Sequence, residues 1–242
     1  MPDSVREAVR GSTVLLTGVG ADGQVGQGVA RAFAEQGASL ILVDRTPEHV
    51  DARVGELTRD GLSAAGYPCD LTDDAAVKAL VARIRAKHGD SIHAFVHMAG
   101  GFAMSGPVAE STDEVWNRQI AINLTTAFTT SRAVLPLLRA GKGAIVFFAS
   151  EAVLPGSTGA RMSAYAVAKS GVVALMRAIA AEEKPNGVRA NAVAPSSIRT
   201  ATNVHDMGDK VRFVEREQVA DVVLFLCSSR ASAVSGLVVP VS

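Results

Sequence analysis

Short apolar runs alternate with stretches of helical period along the whole chain. Val14-Leu15-Leu16 is the first run and ends at Thr17-Gly18, as a strand buried on both faces does. From Val25 the spacing changes: Val25, Val29 and Phe33 recur every four residues, which predicts a helix closed by Gly37. Leu40 to Val43 is the next strand, residues 47–60 the next helix, and Ala64 to Cys69 the third strand. The alternation goes on with a helix from Asp73-Asp74 to about His88, a strand at Ala94 to Val96, and one long helix from Thr112 to about Arg139. A strand at Ala144 to Ala149, a helix from Ser163 to about Glu182 and a strand at Arg189 to Ala194 follow. A helix near Gln218 to Cys227 and a strand at Leu237 to Val239 complete the pattern. This order predicts an α/β fold: a single doubly wound Rossmann domain over 1–242, with a parallel seven-stranded sheet covered by helices on both faces.

In such a sheet a ligand sits beyond the carboxyl ends of the strands. The unusual clusters all fall there: Gly18 to Gly28, Asp44, Asp70, Ala99 to Gly101, Ser150 and Pro195 to Thr200. The first, TGVGADGQVGQG at 17–28, suits a pyrophosphate, because glycine lets the chain approach closely and a helix N-terminus presents free N–H groups. Tight strand-to-helix turns also use glycine, so the loop alone does not decide. Asp44 lies 18 residues after Gly26, where a carboxylate can accept from both hydroxyls of an adenosine ribose. It would repel a 2′-phosphate, which favours NAD(H) over NADP(H); the neighbouring Arg45 softens that preference. Tyr165 and Lys169 are four apart and share a helix face, where a cation lowers a phenol's pKa. Such a tyrosine can exchange a proton with a carbonyl or alcohol oxygen, although isolated pairs of this kind are common on helix surfaces.

Composition narrows the field. Of 242 residues, 48% are apolar and 20% charged, enough for a large core. Basic and acidic side chains balance at 24 each and form no block, so nothing points to nucleic acid or a membrane surface. No apolar run reaches membrane-spanning length, Arg177 interrupting the longest helical candidate, and MPDSVREAVRGS lacks a secretory core. Cys69 and Cys227, distant in sequence, read as reduced thiols. The expected location is therefore cytoplasmic. His93 and His97 have a metal-ligand spacing only on a helix, and they fall on a strand with no third ligand, so no metal is expected.

The stretches TG at 17–18, VGQGVARAFAEQGA at 25–38, VDR at 43–45, CDLTD at 69–73, AGG at 99–101, INL at 122–124, YAVAK at 165–169 and RANAVAP at 189–195 occur in one order. Together they resemble the short-chain dehydrogenase/reductase family over nearly the whole chain. The resemblance implies hydride transfer between a nicotinamide and a small alcohol–carbonyl pair. It implies Tyr165 as general acid/base, Lys169 at the nicotinamide ribose, Asn123 holding a relay water and Ser150 on the substrate oxygen. It implies cofactor contacts at Gly18, Gly20, Val25, Gly26, Asp44, Arg45, Asp70, Leu71, Ala99, Gly100, Tyr165, Lys169, Pro195, Ile198 and Thr200. It also implies a homodimer or homotetramer, and the apolar helices 124–138 and 163–179 suit subunit contacts.

Four departures stand out. The glycine loop is two residues too long and has Gln24 for a glycine; residues 19–24 are expected to bulge outward, with Asp22 unfavourably near a pyrophosphate. Asn-Asn-Ala-Gly has become His97-Met98-Ala99-Gly100. Ser150 lies fifteen residues before Tyr165 rather than about thirteen, leaving Ser157 and Ser163 as substitutes. Pro-Gly has become Pro195-Ser196. Segments 99–106, 161–172, 195–200 and the ending SGLVVPVS are similar to dihydropteridine-reductase-like members, so a pterin substrate is an alternative. A catalytically silent nucleotide-binding sensor or subunit is another. Phe102 and Met104 are placed at the substrate mouth as readily as in plain packing, and Trp116 reads first as helix packing. The short, charged segment 201–216 would cover a small polar substrate better than a steroid.

Overall fold

The apolar runs pair as seven parallel strands in the order β3-β2-β1-β4-β5-β6-β7. In the computed structural model, which describes residues 9–208 and 210–242, these are β1 Thr13–Thr17, β2 Ser39–Asp44, β3 Ala64–Pro68, β4 Ala94–His97, β5 Ala144–Phe148, β6 Arg189–Pro195 and β7 Val238–Val241. The opening MPDSVREA, part of the segment read for a secretory core, lies outside the described residues. Alternate strand residues face opposite layers. Leu15, Ile41, Phe95 and Ile145 pack under α3 (Asp74–His88), α5 (Thr126–Gly141) and α6 (Ser163–Glu182). Leu16, Leu42, Val96 and Val146 pack under α1 (Val25–Glu35), α2 (Pro47–Arg59) and α8 (Arg216–Cys227). Burial on both faces is why these strands read as unbroken apolar runs.

The strand order reverses between β1 and its neighbours β2 and β4, where Thr17 is in register with Val43 on one side and His97 on the other. A crevice opens there at the carboxyl ends.

Three elements differ from expectation. The helix predicted as continuous from Thr112 is α4 (Asp113–Gln119), a π-helical turn at Ile120–Thr125, and then α5. A seven-residue helix, α7 (Ala201–Met207), stands in the segment expected to be a plain lid, N-capped by Thr200. The eighth helix starts earlier than predicted because Glu215 and Gln218 form a reciprocal capping box. By length and apolar content α6 would suit a membrane span, contrary to the expectation that no run would; here it packs on β6 with Ala164, Ala168, Val172 and Met176 buried.

Candidate active site

The glycine loop departs from β1 at Gly18 and folds back onto β2, where Gly20 N donates to Asp44 Oδ2 at 2.9 Å. Val19 is fully buried, and a Cβ on Gly26 would lie 2.3 Å from Val19 O, so only glycine lets α1 start this close to β1. The loop therefore does not simply bulge outward. Val19 belongs to the core, while Gly20, Ala21 and Gln24 line the crevice. Asp22, placed near the pyrophosphate by the sequence, points away: Arg53 Nη2, on a side chain with no solvent exposure, holds its carboxylate at 2.7 Å. Gln24 occupies the N-cap of α1 without capping it, and no acceptor among the described residues takes the N–H groups of Val25 and Gly26. Two free donors at the positive end of an eleven-residue helix suit an anion.

These residues open on a cavity of about 560 Å³. Its lining brings together Gly18, Gly20, Val25, Gly26, Asp44, Arg45, Asp70, Leu71, Ala99 and Gly100 from the sequence reading. His49, Arg118, Ile122, Thr126 and Thr202 join them. Asp44 is mostly buried; its Oδ1 accepts from Thr46 N at 3.0 Å and meets His49 Nδ1 at 3.3 Å. Asp70 Oδ1 accepts from the Thr72 hydroxyl at 2.7 Å and from Thr72 N at 2.9 Å, and these bonds hold its carboxyl below the usual range. The exposed Arg45 adds to that depression through its field. Pro195, Ile198 and Thr200 lie outside the lining, as do Asn123, Ser150, Tyr165 and Lys169; Thr200 Oγ1 accepts from Asn203 N at 3.1 Å and so caps α7. A larger hollow, about 940 Å³, lies among Lys142, Arg177, Lys184 and Arg189 at the opposite end of the sheet and contains none of the predicted site residues.

Gly100 links the cavity to the group around Tyr165. A Cβ at Gly100 would meet Asn123 Oδ1 at 2.4 Å and Lys169 Nζ at 3.4 Å. Lys169 is buried, donates from Nζ to Phe148 O at 2.7 Å and stands 5.8 Å from the centre of the Tyr165 ring. Burial lowers its pKa to about 8. Burial pushes the Tyr165 phenol up, the Ser150 hydroxyl pulls it back down, and the Glu151 carboxylate adds to the rise. The net shift of the phenol is upward, contrary to the depression expected from the spacing, and the Lys169 ammonium is turned onto the Phe148 carbonyl. Ser150 therefore lies at the phenol, while Ser163 bonds the Ser105 hydroxyl and Ser157 is exposed. The extra spacing before Tyr165 is taken up in the loop after Ser150.

Asn123 sits in the π-helical turn with its side chain fully engaged. Nδ2 donates to Gly101 O at 2.9 Å, with Gln119 O and Gln119 Oε1 both at 3.1 Å, and Oδ1 accepts from Gly101 N at 3.2 Å. These bonds make the Asn123 side chain a clamp on the loop after β4. Gln119, buried and absent from the sequence reading, is its support. Nothing but the four-residue spacing could have signalled it.

His97 takes the place of an amide in the family pattern and bridges two hydroxyls, Thr17 Oγ1 at 2.9 Å and Thr126 Oγ1 at 3.3 Å. Burial, with the nearby Lys169 charge, lowers its pKa to about 3, so the ring is neutral. His93 Nδ1 accepts from Thr13 N at 3.0 Å, and the described residues contain no cluster of three or more metal-binding side chains. Phe102 lies edge-on to Tyr165 with ring centres 5.1 Å apart, yet is 58% exposed. Met104 and Trp116 are partly exposed as well.

A doubly wound sheet, an anion-ready helix terminus at its switch point and a half-buried tyrosine beside a serine and a lysine define a nucleotide-dependent oxidoreductase of alcohols and carbonyls. Residues 18–242 match the family model described as enoyl-(acyl carrier protein) reductase. The chain is 31% identical to human dehydrogenase/reductase SDR family member 4, covering 97% of this chain and 90% of that one. It is 34% identical to the meso-2,3-butanediol dehydrogenase of Serratia marcescens over 94% of this chain and 92% of the relative. A solved short-chain dehydrogenase/reductase from Mycobacterium ulcerans superposes with a TM-score of 0.89 at 31% identity, covering 97% and 89% of the two chains. The protein belongs to the short-chain dehydrogenase/reductase family, whose members use nicotinamide cofactors.

Proposed function

We propose that the protein binds NAD(H) in preference to NADP(H) and interconverts a small alcohol and its carbonyl, with Tyr165 as the acid–base group. The observation that carries this reading is the grouping of Tyr165, Ser150 and Lys169 behind Gly100, which borders the cavity that these three do not themselves line. When bound, a nicotinamide supplies or accepts the hydride. The residues fit a dinucleotide: free N–H groups at Val25 and Gly26 for its pyrophosphate, and the Asp44 carboxylate for its ribose. Asp44 already accepts hydrogen bonds on both oxygens, and a carboxylate there opposes a 2′-phosphate.

In reduction the Tyr165 hydroxyl donates a proton to the substrate oxygen, which Ser150 also bonds; in oxidation the phenolate receives it. Because burial raises the phenol's pKa, it remains a proton donor at neutral pH. Lys169, beside Gly100, keeps its charge below about pH 8 and would hold the nicotinamide ribose. Asn123 fixes Gly101. The exposed Phe102 against Tyr165 favours a substrate with an apolar substituent beside its carbonyl. The Serratia relative is named for a small diol, which supports a small substrate. The pterin and silent readings gain no support from the structure or the relatives.

Exposed Phe128 on α5 and Val167 on α6 suit a homodimer or homotetramer, which light scattering would measure. The free thiols of Cys69 and Cys227 suit the cytoplasm. Titration with NADH and NADPH, followed by turnover over a panel of small ketones, aldehydes and diols, tests the function. Tighter NADH binding with turnover is expected; binding without turnover of any carbonyl would refute it.

A further inference from the structure

The two extra residues of the glycine loop bring it into contact with the segment after β6. Gln24 Nε2 donates to Thr202 Oγ1 at 2.9 Å. One residue earlier, Gly23 O accepts from Ala201 N at 3.1 Å. Gly23 has a φ of +78°, and a Cβ there would lie 3.0 Å from the Ala201 side chain, so the two backbones can meet only at a glycine. Each side of this contact is anchored separately. On the loop side, Asp22 is held by Arg53, and Gly23 N donates to Gln27 Oε1 at 2.8 Å. On the other side, Thr200 caps α7 and Asn203 Nδ2 donates to Ile198 O at 2.8 Å. Gln24 and Thr202 both line the 560 Å³ cavity, on the rim next to the free N–H groups of Val25 and Gly26.

We propose that Gln24 and Thr202 are cofactor-site residues that form a clasp: their bond joins the phosphate loop to α7 over the bound pyrophosphate and sets how fast the dinucleotide leaves. The proposal rests on the reading of this cavity as a dinucleotide site. It gives the lengthened loop a purpose. A glycine in place of Gln24 has no side chain to reach Thr202, and a shorter loop would not bring Gly23 under Ala201. The backbone bond Ala201 N to Gly23 O survives side-chain substitution, so removing the clasp loosens the closure without abolishing it.

The test is stopped-flow displacement of NADH by excess NAD from the full-length protein, comparing wild type with Gln24→Ala, Thr202→Val, the double variant and Thr202→Ser. One hydrogen bond predicts a dissociation rate raised about 3- to 10-fold in either single variant. The double variant should be no faster than the faster single, because both remove the same bond. Thr202→Ser, which keeps the hydroxyl, should release NADH at the wild-type rate, separating the bond from general loosening; thermal melting checks that each variant is folded. Rates within twofold of wild type in both singles, additive effects in the double, or failure of Thr202→Ser to behave as wild type would overturn the clasp. A wild-type protein that binds neither NADH nor NADPH overturns the dinucleotide reading itself, and the clasp with it.

Discussion

Asn123 stands directly behind Gly100, leaving no volume for a side chain there. An added Cβ would sit 2.4 Å from the Asn123 carboxamide oxygen, which is itself pinned by Gly101 N. Gly100→Ala must therefore push the loop away from the π-helical turn or break the clamp. The variant should lose about 1–3 kcal/mol of stability, as overpacking typically costs. It should also bind NADH at least about tenfold more weakly, the affinity step that corresponds to 1.4 kcal/mol. Chemical denaturation and NADH titration would show both; an unchanged affinity would contradict the placement of Gly100 in the cofactor site.

Removing only the phenolic oxygen tests the proton-transfer role. Tyr165→Phe should lower kcat by roughly 10²- to 10⁴-fold, the range for loss of a general acid–base group. NADH affinity should stay within a few-fold, because the ring still packs edge-on to Phe102. Turnover near the wild-type level would remove Tyr165 from the chemistry.

The rate of carbonyl reduction should be flat through neutral pH and decline above about pH 8. Burial puts the Lys169 ammonium near that value, whereas it raises the Tyr165 phenol above its ordinary one. Lysine thus loses its proton first, and with it the charge that holds the ribose. Lys169→Arg, if it retains activity, should lose this alkaline limb, since a guanidinium keeps its proton. A limb at the same pH in the arginine variant would assign it to another group.

Asp44→Asn removes the charge that opposes a 2′-phosphate while keeping one acceptor oxygen. The ratio of kcat/KM for NADPH to that for NADH should rise by about tenfold or more, since hydrogen bonds to charged groups contribute about 1.5–3 kcal/mol. Gly20 N would keep an acceptor in the variant, so the loop should hold its course. A ratio that does not move would place the cofactor choice elsewhere, with Arg45 and His49 the next side chains on that wall.

His97 should make the fold sensitive to acid. Its folded value of about 3 lies below the roughly 6.5 of an exposed imidazole. Between these values the unfolded chain binds a proton that the folded chain refuses. Stability is therefore complete above about pH 6.5 and is lost as pH falls towards 3, by up to about 2–3 kcal/mol at pH 4.5. His97→Asn should show a smaller fall in Tm between pH 7 and 4.5 than wild type. A parallel fall in the two proteins would place the acid sensitivity in other groups.

The central strands β1, β2, β4, β5 and β6 were legible because burial on both faces leaves an apolar run, and the four-residue spacing of Tyr165 and Lys169 placed them on one helix face. What lies between distant segments was not legible. Asp22 looked hostile to a phosphate because its partner, Arg53, is 31 residues away, a buried side chain of α2. The break in the helix at Ile120–Thr125 has no proline or glycine to announce it. Gln119 is an ordinary surface residue until the π-helical turn folds its amide onto Asn123. Spacing set the proximity of Tyr165 and Lys169, but it showed neither the burial that raises the phenol nor the Phe148 carbonyl to which the ammonium points. Helix α7 was missed because its start depends on Thr200, which the sequence offered as a cofactor contact.

Arg53 has no solvent exposure; its guanidinium is shared between Asp22 in the glycine loop and Glu56 on its own helix, with Nε left without a partner. Trimming the loop to the ordinary length of its relatives would remove one of the two anions this cation depends on. Loop length and residue 53 are thus structurally coupled. An engineer grafting a standard phosphate loop onto this scaffold has to change the helix beneath it in the same step, and sequences that keep the long loop should keep an arginine there.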